Sequence, residues 1–156
     1  MIDTNELIQR FVLHEGCKLI PYRCPSGYLT IGVGRNLETN PLTEEEKKVC
    51  GDYQRGITKN AAFYLLKNDI QKAQRECEKH IPFFLRLDNE RQYALLDMCF
   101  NLGIKGLLQF KLMLEALGTG NYQRAADECL NSNYARQTKK RAGRIAETIR
   151  TGKFKV

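Results

Sequence analysis

From Thr58 onward, Ala62, Leu65, Leu66, Ile70, Ala73 and Cys77 recur three and four residues apart until Pro82. That spacing draws one continuous apolar stripe along a single helix. Thr58 stands where a hydroxyl can cap the first free backbone N–H groups of such a helix. About 22 helical residues span roughly 33 Å, long enough to join two lobes. With 156 residues in all, the lobes on either side must be small and share one domain.

The two flanks read differently. Residues 3–14 form a first helix, with Asp3 and Glu6 spaced as a capping box and Leu7, Ile8, Phe11 and Val12 at helical intervals. The segment from Gly16 to Gly34 is rich in turn formers, and Pro25-Ser26-Gly27 suits a tight turn. Residues 28–33 then alternate with period two, with Leu29, Ile31 and Val33 on one face and Tyr28, Thr30 and Gly32 on the other. This predicts a small hairpin, extended by a third strand near residues 55–58. Beyond Pro82 the chain is helical. Residues 90–102 are apolar on nearly every side, as in a buried central helix ended by Gly103. Further helices are expected at 107–117, 121–131 and 139–150. The expectation is an α+β fold forming one domain over 1–156. It has a small β-containing lobe (12–60), a linking helix (61–80) and a helical lobe (81–156 with 1–11), with a cleft between the lobes.

Charge narrows the partners. The net charge is +7, yet Lys/Arg and Asp/Glu balance through residue 130. The surplus lies in residues 131–156, where Arg136, Lys139, Lys140, Arg141, Arg144, Arg150, Lys153 and Lys155 face the single acid Glu147. A patch of that kind attracts polyanions, either nucleic acid or an anionic cell envelope. No apolar run approaches the roughly 20 residues that span a bilayer, and residues 1–11 lack the basic and apolar regions of a secretory signal. The six cysteines are therefore expected to be reduced thiols of a cytoplasmic chain. Two isolated histidines give no zinc spacing, so neither metal nor cofactor is expected.

Glu15 carries the first chemical signal. Leu7, Phe11 and Glu15 lie four apart, which puts a carboxylate at the edge of the first helix's apolar face. Partial desolvation and the negative end of the helix dipole both favour the protonated acid there. A carboxylic acid held neutral is what cleavage of a glycosidic bond requires; an Arg-paired surface glutamate is the plain alternative. Cys24 and Thr30 flank the Pro-Ser-Gly turn and can face the same space as Tyr28, where Gly32 and Gly34 leave room for something to approach the backbone. Cys24 can serve as nucleophile, base or inert thiol, and Thr30 can hold a water or simply pack. His14 beside Glu15 raises a Cys-His hydrolase, but consecutive helix positions diverge by about 100° and carry His14 off the stripe.

These residues carry a family resemblance. Glu15-Gly16, Tyr22-Arg23-Cys24 and Gly27-Tyr28-Leu29-Thr30-Ile31-Gly32-Val33-Gly34 resemble the active-site segment of T-even-phage-type lysozymes, glycoside hydrolase family 24. The family's pattern is Glu, eight residues, Asp or Cys, five residues, Thr, and Glu15, Cys24 and Thr30 meet it without a gap. Gly56-Ile57-Thr58-Lys59, Phe100-Asn101-Leu102-Gly103 and Arg150-Thr151-Gly152-Lys153 extend the resemblance along the chain.

The resemblance implies an endolysin that hydrolyses the β-1,4 bond between N-acetylmuramic acid and N-acetylglucosamine in peptidoglycan. Glu15 matches the general acid and Thr30 the residue that positions water. Arg141 matches a cleft Arg that approaches the catalytic Glu, Asn101, Gln137 and Thr138 match positions that line the substrate groove, and Tyr28 and Arg141 are counted with them as substrate-binding residues. Cys24 departs from the commoner Asp, leaving inversion, a transient thioglycoside and a water activated by Thr30 all open; inversion is preferred. Arg35 replaces a His that often follows the strand, and it calls for Asp69 or another acid as a structural partner. A cleft enzyme of this size is expected to work as a monomer and, without an export signal of its own, to stay in a host cytoplasm until release to the wall. A catalytically silent peptidoglycan-binding module and a nucleic-acid binder are the alternatives; no nucleic-acid motif accompanies the basic segment, so no nucleic-acid partner is expected. If the basic segment steers the protein to an anionic envelope, activity on whole cells falls faster with salt than activity on small soluble glycans. Turnover of both substrates across a salt series measures the difference.

Overall fold

The computed structural model describes residues 2–156. Among them it contains seven α-helices and one three-stranded antiparallel sheet, an α+β architecture of the lysozyme type. The chain divides into two compact units, Asp3–Gln71 and Lys72–Val156, the latter joined by Ile2.

The first unit opens with α1 (Thr4–Glu15), which Asp3 caps by accepting the Asn5 N–H at 2.8 Å. Glu6 does not reach back to complete a capping box; it accepts from Arg10, four residues on, at 2.6 Å. The reciprocal box lies instead at a helix that the apolar pattern did not reveal, α2 (Glu44–Cys50). There Thr43 Oγ1 accepts the Glu46 N–H (3.1 Å) and Glu46 accepts the Thr43 N–H (2.9 Å). The sequence Thr43-Glu44-Glu45-Glu46 has the spacing of that motif, and the helix was missed because its short span carries too few apolar residues to show a period.

Strands β1 (Lys18–Arg23), β2 (Leu29–Gly32) and β3 (Arg35–Asn36) pair in the order β1-β2-β3. The third strand is thus Arg35–Asn36 and not the segment near 55–58. Positive φ at Gly32 (68°) and Gly34 (69°) turns the chain straight back onto β2. Residues 53–55 coil into a 3₁₀ turn, and Ile57 reaches β1 through one bond, its N–H to the Leu19 carbonyl at 2.8 Å. Ile31, Leu42, Cys50, Ile57, Ala61, Ala62 and Leu65 form a buried core cluster of this unit. What approaches Gly32 is the next helix: a Cβ there would lie 3.5 Å from Ala62 Cβ.

That helix is α3 (Lys59–His80), with Thr58 Oγ1 accepting the Ala61 N–H at 3.1 Å. All six residues of the sequence stripe are buried. The unit boundary falls within α3, between Gln71 and Lys72.

Arg35 ties the first unit together. Its guanidinium, 3% exposed, donates to both Glu46 oxygens (3.0 and 2.7 Å) and lies 3.3 Å from Asp69. Its Nε donates to the Asn40 carbonyl at 2.8 Å, and Asn68 donates to Glu46 at 3.0 Å. The expected Asp69 partner is present, with Glu46 as the bidentate one. Burial opposes the charge on Glu46, but the Arg35 fork, the Asn68 amide and the Thr43 N–H outweigh it and hold the carboxyl down to about 2.

In the second unit α4 (Asn89–Leu108) is buried continuously from Gln92 to Cys99. Its helical path breaks at Gly103 (φ 72°), as expected, and one more stretch follows to Leu108. Then come α5 (Lys111–Gly118), α6 (Tyr122–Leu130) and α7 (Asn133–Thr151). Helix α7 begins six residues earlier than the periodicity indicated, because Ser132 caps it through the Ala135 N–H (3.1 Å), and it kinks at Thr138. Arg91 secures its far end: Nε donates to the Ile149 carbonyl at 2.6 Å while the guanidinium stacks 3.4 Å from the Tyr122 ring centroid. No described helix is long and apolar enough to cross a membrane.

Replacing Arg35 with Leu leaves Glu46 and Asp69 buried without their cation, and this should cost about 3–5 kcal/mol in urea unfolding at neutral pH. The carboxyl of Glu46 lies below its ordinary value of 4.5 in the folded state. Its stabilisation is therefore complete above about 4.5 and lost as pH falls towards 2. Glu46→Gln should flatten that limb of the stability–pH curve.

Candidate active site

Three elements of the first unit bring the expected chemical groups together. Glu15 is the last residue of α1, half-buried, just before Gly16 takes positive φ (73°) and returns its N–H to the Val12 carbonyl. Cys24 follows the end of β1, and Thr30 sits in β2, 3% exposed. Antiparallel pairing sets Tyr22 opposite Thr30. Since strand residues two apart share a face, Tyr22 also leads directly to Cys24.

The loop between the strands is closed by its own backbone. The Cys24 N–H donates to the Tyr28 carbonyl at 3.0 Å, and the Gly27 N–H donates to the Cys24 carbonyl at 2.8 Å. Arg23 donates to the Gly27 carbonyl (2.9 Å) and to Glu38 (3.3 Å), which also accepts the Leu29 N–H at 2.6 Å. Thr30 Oγ1 donates to the Tyr28 carbonyl at 2.9 Å. The tyrosine ring itself is exposed.

This closed loop aims donors at the Cys24 sulfur. Burial pushes the thiol up, but N–H groups of Tyr28 and Ser26, the Thr30 hydroxyl and the Gly27 N–H outweigh it, so its pKa falls below the ordinary thiol value. Burial raises Cys17, Cys50 and Cys129, the last to about 12. All six cysteines are free thiols. Thr30 can serve either protonation state of Cys24: with its proton on the Tyr28 carbonyl its oxygen accepts S–H, and turned to the sulfur it stabilises the thiolate.

Tyr22 joins this group although sequence reasoning quoted it without assigning it a place. Its phenol is pushed up first by burial and then by the charges of Glu15 and Cys24, so both lie within its electrostatic reach. Lys18 stands 4.3 Å from its ring centroid. The signal was the period-two spacing from Tyr22 to Cys24.

The remaining expected positions lie in the second unit. Asn101 is in α4, and Gln137, Thr138 and Arg141 are in α7. Arg141 NH1 donates to Asn101 Oδ1 at 2.9 Å, and Asn101 Nδ2 donates to Asp97 Oδ1 (2.8 Å) and to the Asp97 carbonyl (2.9 Å). Thr138, at the α7 kink, donates to the Tyr134 carbonyl at 2.7 Å. Gln137 is exposed. Asp97 was read only as part of an apolar run, because one acid among LLDMCF does not disturb the pattern. Among the described residues no group of three or more His, Cys, Asp or Glu is placed to hold a metal.

The sequence matches known proteins. The phage lysozyme family model covers residues 12–147, and the chain belongs to that family. Its class is that of the lysozyme-type glycosidases. It is 32% identical to the probable T4-type lysozyme 1 of Dictyostelium discoideum, over 88% of this chain and 89% of that protein. It is 27% identical to the probable T4-type lysozyme 2 of the same organism, over 90% and 91% of the two chains. The pre-baseplate central spike protein Gp5 of Enterobacteria phage T4 is 30% identical, over 97% of this chain but 28% of that longer protein.

Alkylation should sort the cysteines by these environments. With limiting iodoacetamide at neutral pH, Cys24 should label well before the other five, as read by peptide mass spectrometry. Thr30→Val removes one donor and should slow Cys24 labelling without accelerating the rest.

Proposed function

We propose that this protein is an N-acetylmuramidase. It hydrolyses the β-1,4 bond between N-acetylmuramic acid and N-acetylglucosamine in bacterial peptidoglycan. The observation that carries this reading is the hydrogen-bonded loop that gathers Cys24 and Thr30 on the strand pair beside Glu15, with Tyr22 sensing the charge of both Glu15 and Cys24. Family membership supports the reaction class.

Glu15 acts as general acid and protonates the leaving glycosidic oxygen. The C1–O bond breaks with oxocarbenium-like charge on the sugar. Thr30 orients a water on the opposite face, and the Cys24 thiolate accepts its proton as oxygen bonds to C1. The product is an inverted reducing end. Proton exchange with solvent restores the Glu15 acid and the thiolate. The lowered thiol pKa supports this role, since a protonated thiol is no base. Tyr28, Asn101, Gln137, Thr138 and Arg141 hold the glycan strand, and the basic residues of 131–156 draw the protein to an anionic envelope.

Digestion of purified peptidoglycan by wild type, Glu15→Gln and Cys24→Ala tests the assignment, with released sugars identified by mass spectrometry. Wild type should release reducing muropeptides. Glu15→Gln should lose at least about 10²-fold in rate, as expected for removal of a general acid, and Cys24→Ala should fall steeply as well. A Cys24→Ala rate near wild type removes the thiol from the mechanism. If wild type binds the polymer and releases nothing, the chain is a silent wall-binding module and the muramidase reading fails.

A further inference from the structure

The contacts around Arg141 include a group that the proposed mechanism does not use. Asp97 lies in the most deeply buried stretch of α4 and is 3% exposed. One turn later Asn101 donates its amide nitrogen to both the Asp97 carboxylate and the Asp97 carbonyl, and its oxygen accepts from Arg141. The cluster has a wall. Tyr134 is buried, packs edge-to-face on Phe110 at 5.9 Å, and its phenol is pushed up by burial and by the Asp97 charge, with Arg141 opposing.

An ionised carboxylate only accepts hydrogen bonds. It therefore admits one orientation of the Asn101 amide, with NH₂ towards Asp97 and oxygen towards Arg141. The guanidinium in turn finds a fixed acceptor and loses part of its rotamer freedom before any ligand arrives. We infer that Asp97 is a positioning residue that, through Asn101, holds the Arg141 guanidinium ready for an anionic or polar group of the glycan substrate. The substrate end of this inference rests on the muramidase reading, whereas the orientation of Arg141 does not.

An Asn at position 97 keeps the size and can still accept, but it can also donate. The Asn101 amide then keeps the Asp97 carbonyl as its one obligate acceptor, so it flips more readily, and in the flipped state its NH₂ faces the guanidinium, donor against donor. The expected loss therefore falls on binding rather than on the chemical step. It should also disappear once Arg141 has been removed.

The experiment is a double-mutant cycle on wild type, Asp97→Asn, Arg141→Ala and the double variant. It reads kcat and KM for reducing-end release from solubilised peptidoglycan, together with the ¹⁵N–¹H signals of the Arg141 guanidinium. Asp97→Asn should raise KM about tenfold, the scale of one charge-assisted hydrogen bond, with kcat changed less than threefold. The double variant should match Arg141→Ala. In the spectra, the discrete Arg141 signals of the wild type should average or broaden in Asp97→Asn. Asn101→Ala, which removes the bridge and leaves the buried carboxylate, should broaden the Arg141 signals in the same way, and these signals serve as the measurement if Asp97→Asn does not fold. A KM within twofold of wild type, or losses that multiply in the double variant, overturns the inference, as do Arg141 signals unchanged in a folded variant. A wild type that cleaves nothing fails the muramidase reading alone, and the Arg141 signals then decide the positioning by themselves.

Discussion

The Arg35 guanidinium sits where water cannot reach it, and four residues from three other segments of chain converge on it or on its partners. Glu46 comes from α2, Asp69 and Asn68 from α3, Asn40 from the loop after β3, and Arg35 itself from β3. A buried ion pair of this kind contributes little net energy compared with a well-packed apolar substitute, but it tolerates only one arrangement of its members. Its value is geometric. β3 is two residues long and could not hold its register by ladder bonds alone. Anchored through Arg35, it fixes β2, and β2 carries Thr30. The capping box of α2 belongs to the same network, because Glu46 Oε1 accepts from both Thr43 and Arg35. A helix end, a strand edge and a buried charge are thus satisfied by one carboxylate.

In the same unit the loop from Cys24 to Tyr28 surrounds a thiol that the proposed function uses as a base. A carboxylate is ionised at neutral pH without help, whereas a thiol needs its anion stabilised. The help comes largely from backbone: N–H groups of Ser26, Gly27 and Tyr28 act on the sulfur, supplemented by the Thr30 hydroxyl. The same short turn thus closes the loop and lowers the pKa of its thiol. Glu15 reaches the neighbourhood by a different route, at the point where α1 runs out and Gly16 turns the chain towards β1. Tyr22 registers both charges.

Much of this was legible from residue order. The stripe from Ala62 to Cys77 located α3 and its Thr58 cap because a long helix repeats its period many times. The hairpin announced itself through the Pro-Ser-Gly turn and the alternation after it. Short elements were not legible. α2 offers barely two turns, and its only strong signal is the capping box, which looks like any acidic cluster until Arg35 is seen beside it. The third strand was misplaced because two residues show no period, and residues 55–58 do approach β1, by one hydrogen bond instead of a ladder. Gly32 and Gly34 were read as room for a visitor; at Gly32 the visitor is Ala62.

By itself the sequence determined the helical frame, the class of fold and the spacing Glu15-Cys24-Thr30, since each depends on neighbours along the chain, where period, caps and turns act locally. Tertiary structure alone decided which groups surround each of these residues. The Glu46 fork on Arg35 and the Asp97–Asn101–Arg141 series join side chains up to 44 positions apart. Charge and hydrogen bonding act through distance in space and through the exclusion of water, and residue order encodes neither directly.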